Sequence, residues 1–140
     1  MSTLSPTAQS FGWLLNGFVA DTADVRAAIA VSADGILLTS SANLERSLAE
    51  QFAAITSGMS SLTQGASRCF NADGVDQVII EMGNAFVFVT TISMGSCLGV
   101  LADKECDMGL IAYEMTLLVE RFGDLLTPEL ISELKNLVVV

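Results

Sequence analysis

Histidine does not occur anywhere in the 140 residues. Its absence removes the commonest general base, the commonest metal ligand and any Ser-His or Cys-His relay. No G-x-x-x-x-G-K-[ST] or G-x-G-x-x-G run is present either, so no glycine-rich loop is predicted to cradle a nucleotide phosphate. Basic residues are few. Six Lys plus Arg stand against sixteen Asp plus Glu, a net charge of -10, and such a surface repels phosphate backbones and anionic lipid at long range. Nucleic acid is therefore not an expected ligand.

Cysteine is sparse as well. Cys69, Cys97 and Cys106 form no C-x-x-C pair and leave one thiol unmatched, which reads as reduced, mostly buried thiols in a cytoplasmic protein. With no histidine to act as base, a thiol enzyme built on them is the least favoured class. Charge of either sign is scarce: 16% of residues are charged and 51% are hydrophobic. That is too little charge to cover a molecule standing alone, and an oligomer or a constant partner is implied. No charged segment followed by an apolar stretch marks a signal peptide. Met82 to Ala102 is uncharged and long enough to cross a bilayer. Gly83-Asn84, Thr90-Thr91 and Ser93-Met94-Gly95-Ser96 divide it into short β-branched runs, so it is read as two buried strands rather than a stable membrane insertion.

What is present falls into a clear order. Residues 1–7 are polar and predicted to fray. Phe11, Leu14, Leu15, Phe18 and Val19 then recur at helical spacing. Val25 to Ser32 and Ile36 to Ser40 are strands flanking Ala33-Asp34-Gly35, where glycine supplies the positive φ of a tight hairpin. A long helix is predicted from about Leu44 to Phe70, with Asn43 as its cap. On it Leu48, Phe52, Ile55, Met59, Leu62, Ala66 and Cys69 form one apolar stripe, expected to pin the helix to a sheet. Strands follow at Val75 to Met82, Ala85 to Ile92 and Cys97 to Ala102, with hairpins at Gly83-Asn84 and Met94-Gly95. Both parities of the middle strand are apolar, so helices should cover both sheet faces. Asp107 opens a third helix closing near Gly123, and Thr127-Pro128 starts a short helix or tail over 127–140.

The long helix is unusual because Gln51 to Ser67 carries no charge. Ala54, Gly58, Ser61 and Gly65 lie along one flank at spacings of four, three and four, which lets a second helix approach closely. Either that flank is hidden inside the same subunit or it meets another copy, and self-association accounts better for the missing charge. Asp34, Asp73, Asp76, Glu81, Asp103, Glu105 and Asp107 sit at turns and strand ends without calcium-loop spacing, so they read as solvated turn acids and no metal or cofactor is expected.

In this order of elements the chain resembles the roadblock family of dynein light-chain-like proteins. The likeness rests on VSADGILLTSS at 31–41, QFAAITSGMSSL at 51–62 and GSCLGVLADKECDMGLIAYEMTLLVER at 95–121, and spans residues 8–126. It is most similar to stand-alone bacterial members of the actinobacterial conservon type, encoded beside a sensor-kinase-like protein and a small Ras-like GTPase. The resemblance implies an α/β (α+β) profilin-like roadblock fold: a five-stranded antiparallel sheet sandwiched by helices in the order α-β-β-α-β-β-β-α. It further implies a homodimer in which the long helices pair antiparallel and the Val75 to Met82 strand adds to its mate. Ala54, Gly58, Ser61, Gly65, Val75, Gln77 and Ile79 would then lie in the interface. Such dimers dock a Ras-like GTPase, and in MglB-type relatives docking stimulates GTP hydrolysis. Arg46, Glu50, Ser57, Gln64 and Arg68 are the residues expected to face it. The implied function is regulation or scaffolding in the cytoplasm without catalysis by the chain itself. The competing class is a small-molecule-sensing regulatory domain, which requires an enclosed pocket.

Overall fold

The computed structural model describes residues 5–93 and 95–139, with side chains to 136. Helix α1 (Pro6–Asp21) begins where the Ser5 hydroxyl accepts a hydrogen bond from the Ala8 amide at 3.2 Å and Pro6 enters the first turn. Of the seven residues expected to fray, 1–4 lie outside the described residues. Ser5, Pro6 and Thr7 are instead the cap and first turn, because Ser-Pro is a helix-start signal as well as a polar one.

Strands β1 (Val25–Ser32) and β2 (Leu37–Ser40) form the first hairpin. The Ser32 amide donates to the Ile36 carbonyl at 2.9 Å, and Gly35 at φ +88° takes the left-handed conformation that a side chain would resist. Helix α2 (Arg46–Phe70) follows, then β3 (Val78–Glu81), β4 (Ala85–Ser93), β5 (Ser96–Asp103), α3 (Met108–Leu125) and α4 (Pro128–Val139). Asp107 caps α3 as its sequence predicts, accepting from the Leu110 amide at 3.1 Å. The Gly83-Asn84 turn is closed by the Met82 amide on the Ala85 carbonyl at 2.9 Å. In the third hairpin, Met94 lies outside the described residues.

Two boundaries differ from expectation. Helix α2 starts at Arg46, and its cap Glu45 makes no side-chain capping bond. Asn43 does not cap it, because its side-chain amide donates to the Arg26 carbonyl at 2.7 Å and ties the loop to β1. Strand β3 is four residues rather than eight. Val75 and Gln77 precede it, and the Asp76 carbonyl is taken by the Thr90 hydroxyl at 3.2 Å rather than by a ladder amide.

The five strands form one antiparallel sheet in the order β2-β1-β5-β4-β3. The Met82 to Ala102 run is β4 and β5 with their turns, and among the described residues no helix is long and apolar enough to cross a membrane. Helices α1, α3 and α4 cover one face. There Phe11, Leu15, Ile111, Met115 and Phe122 pack on Phe88, Leu98 and Val100, with Leu130 and Leu134 from α4 alongside. The Phe11 and Phe122 rings meet at 4.3 Å. Each large side chain so buried stabilises the fold by about 1.5–3 kcal/mol. Helix α2 covers the other face, over Ile29, Val31, Val87, Val89 and Cys97. The C-terminal run, whose apolar character the sequence leaves unexplained, continues α4 as far as Val139.

Candidate functional site

Helix α2 is turned by roughly 100° about its axis from the sequence expectation. The residues it buries are small: Ala49, Ala53, Thr56 and Ser67. The stripe expected to pin it to the sheet points largely outward, with Leu48, Ile55 and Leu62 at 53%, 52% and 71% exposure and Cys69 also exposed. Phe52 and Met59 are half-buried at the margin, and Phe70 at the end of the helix is 80% exposed. The physical reason lies in the sheet. Its α2-facing side already carries bulky Ile29, Val31, Val87 and Val89, so a helix presenting leucines could not approach. Alanines can, and they let α2 lie so close that a Cβ on Gly99 of β5 would stand 2.5 Å from Thr56 Oγ1. That hydroxyl is fully buried and has no hydrogen-bond partner.

The outward face thus combines a ridge and a trough. At about 100° per residue, Gly58 lies within about 60° of Ile55 and Leu62, and Ala54, Gly58 and Ser61 are exposed while Gly65 is half-buried. Nothing stands within 4 Å of a Cβ added at Gly58. In a helix interior this glycine costs roughly 1 kcal/mol relative to alanine, and no contact within the subunit accounts for it. Ridges of one helix fitting the grooves of another is the usual mode of helix packing.

At the far side of the sheet, β3 is an edge strand, paired among the described residues with β4 alone. Val78 and Ile80 pack toward α2, whereas Ile79 is 45% exposed. Val75 and Gln77 are half-buried in the approach to the strand. The expected partner-facing residues divide into two groups. Arg46 and Glu50 form an exposed i,i+4 ion pair at 3.0 Å near the start of α2. Ser57, Gln64 and Arg68 line a groove of about 360 Å³ with Ser60, Ser96 and Cys97. The Ser57 hydroxyl donates there to the Ala33 carbonyl at 3.2 Å. Twenty-two residues of helix separate Arg46 from Arg68, about 33 Å at 1.5 Å per residue.

The cysteines do not share one environment. Cys97 is buried and donates to the Ser60 hydroxyl at 3.3 Å. Burial, and then the nearby Asp24 and Asp107 carboxylates, push the half-buried Cys106 thiol up from its ordinary pKa. Cys69 is exposed, contrary to the expectation of burial, because it falls on the outward face of α2. Among the described residues, no group of three or more Cys, Asp or Glu side chains is placed to hold a metal ion.

Reading the sequence alone missed that Leu48, Ile55 and Leu62 form the outer ridge. The available signal was the pairing of Ala49, Ala53 and Thr56 on one side of α2 with a glycine inside an otherwise bulky strand.

A five-stranded antiparallel sheet with one long helix on one face and the remaining helices on the other defines the profilin-like class of α/β domains. The chain matches the Roadblock/LC7 domain over residues 11–102 and belongs to that family. The Roadblock/LC7 domain from Streptomyces avermitilis is 34% identical, with 79% of this chain and 92% of that one covered and a TM-score of 0.75. MglB from Myxococcus xanthus (14% identity, 89% and 92% covered, TM-score 0.78) and profilin II from Acanthamoeba castellanii (16%, 81% and 97%, TM-score 0.57) share the fold. Among curated proteins, no sequence matches it.

Proposed function

We propose that this roadblock protein is a non-catalytic homodimer whose paired α2 helices form a platform for a small Ras-like GTPase, and that docking modulates the GTPase's hydrolysis of GTP. The observation that carries this reading is the orientation of α2: small residues face the sheet, while a leucine and isoleucine ridge beside Gly58 is exposed. Antiparallel pairing would bury the ridge against the Ala54, Gly58, Ser61 and Gly65 trough. The unpaired edge of β3, with Val75, Gln77 and Ile79, would extend the contact.

The same pairing brings the Arg68 end of one α2 beside the Arg46 end of the other. Arg46, Glu50 and Arg68 then gather at the two rims, as charged groups do at many interfaces, with Ser57 and Gln64 in the neutral stretch between them. In this scheme residues 8–126 are the working unit, acting in the cytoplasm beside a sensor-kinase-like protein.

Light scattering coupled to gel filtration should give twice the chain mass for the native protein and the chain mass for Leu62→Glu. Turnover of GTP by the Ras-like GTPase encoded beside this chain should change when the native protein is added and not when Leu62→Glu is. A native protein that stays monomeric at high concentration, or that fails to bind that GTPase at micromolar levels, would remove the reading.

A further inference from the structure

The sheet face opposite α2 carries a second unsatisfied surface. Helices α1 and α3 run antiparallel: Phe11 meets Phe122 at one end, and Asp21 shares a groove with Leu110 at the other. From the ring contact they part, leaving an open groove of about 470 Å³ between Trp13, Gly17 and Phe18 on one wall and Leu110, Leu117 and Leu118 on the other. Trp13, the single tryptophan of the chain, is 74% exposed on one wall and Leu110 is 42% exposed on the other, while Tyr113, on α3 outside the groove, is 61% exposed. Apolar exposure concentrated in this way marks an interaction surface more often than an ordinary wet helix face.

Two further observations identify the occupant. Gly17 lies inside α1, where glycine is less favourable than alanine, and nothing stands within 4 Å of a Cβ added there. No packing within the subunit therefore accounts for it, whereas the backbone of a helix laid into the groove would need the space. The charge is one-sided. Helix α1 has no Lys or Arg, and α1 and α3 together carry Asp21, Glu114, Glu120 and Asp124 against Arg121 alone. Asp21 and Glu114 line the groove itself, with Arg121 as the one basic residue beside them, so the lining carries a net negative charge.

We propose that the α1–α3 groove is a docking site for an amphipathic helix of a partner protein, with its apolar stripe between Trp13 and Leu117 and Lys or Arg residues set against Asp21 and Glu114. Because the groove and α2 lie on opposite faces of the sheet, the site can be filled while α2 is engaged. The proposal does not depend on the GTPase reading. Helix-in-groove recognition of this kind takes its specificity from anchors one turn apart and from flanking charge.

Trp13 is its own reporter. The native protein is titrated with a tryptophan-free amphipathic peptide of about 15 residues, near the length at which isolated helices become marginal, bearing leucines on one face and lysines on the other. Trp13 emission should shift to the blue and saturate. The same peptide with glutamate for lysine should bind about tenfold more weakly or less, the scale of losing a charge-assisted contact. Gly17→Leu, whose side chain enters open space, should abolish the shift while leaving circular dichroism and oligomeric mass unchanged. Glu114→Lys should reverse the preference between the two peptides. The proposal is overturned if neither peptide shifts the emission, if both bind alike, or if the shift survives Gly17→Leu. It is equally overturned if the emission of the protein alone shifts with its own concentration, since a second copy would then be the occupant.

Discussion

The two faces of the sheet are packed on opposite principles. Under α1, α3 and α4 the large residues that meet the sheet point inward: Phe11, Leu15, Phe88, Met115 and Phe122 are all buried, and Trp13, Leu110 and Tyr113 are left on the outer side of the helices. Under α2 the inward residues are Ala49, Ala53 and Thr56, while the leucines and the isoleucine look out. The first arrangement completes a core within one chain. The second brings a helix close while leaving its large apolar side chains on the surface, the kind of patch that marks an interaction site.

The largest expected effect lies on the completed face. Phe122→Ala removes a fully buried ring packed at a tilt against Phe11 and should cost about 3–5 kcal/mol, read from the denaturant midpoint at constant slope. A cost under about 1 kcal/mol would mean that this face is not the main core.

Next is the close approach of α2. Gly99→Ala puts a Cβ against the Thr56 side chain and should destabilise by about 1–3 kcal/mol, as overpacking does. Thr56→Ala in the same chain should restore most of that loss, giving a clear coupling in a double-mutant cycle. Additive effects would show that the helix does not sit so near.

Leu62→Glu sharpens the comparison from the other side. At dilutions where only single chains are present it should change unfolding by no more than about 0.5 kcal/mol, as exposed substitutions do. A severe loss under those conditions would place Leu62 inside the subunit's own core.

The smallest effect concerns acid. The Ser32 hydroxyl, and then the Lys135 ammonium 3.1 Å away, hold the Asp34 carboxyl below its ordinary pKa. A carboxyl depressed by folding stabilises above its unfolded pKa and loses that contribution as pH falls through its folded one. Lys135→Met should therefore be slightly less stable than the native chain near neutral pH, and the two should converge as pH falls through the depressed pKa that Asp34 has in the folded chain. A difference that persists in strong acid would show that Lys135 acts by packing instead.

Much of this fold is legible in the sequence because its signals are local. Asp34-Gly35 specifies the first hairpin, Val25 and Ser32 bound β1 as predicted, and Asp107 caps α3. Local chemistry also explains the errors: Asn43 found a partner on β1, and the residues before Val78 found side-chain rather than ladder partners. The direction of α2 is a different kind of quantity. Periodicity locates an apolar stripe, but whether that stripe faces in or out depends on how much room the sheet leaves, and that is set by Ile29, Val31, Val87 and Val89 far away in the chain. Of the candidate site, the small flank at Ala54, Gly58, Ser61 and Gly65 could be read from spacing. The adjoining ridge could be read only from the packed sheet.

The Asp-Gly turn near the N-terminus has one further consequence. Its Ala33 amide donates to the Gly95 carbonyl at the neighbouring hairpin tip, its Ala33 carbonyl accepts from Ser57 of α2, and its Asp34 is held by Lys135 of α4. The loop works as a rivet passing through the end of the sheet, with one helical layer fastened to each head. The helical layers on the two sides of the sheet thus share one anchoring point, at a turn of three residues.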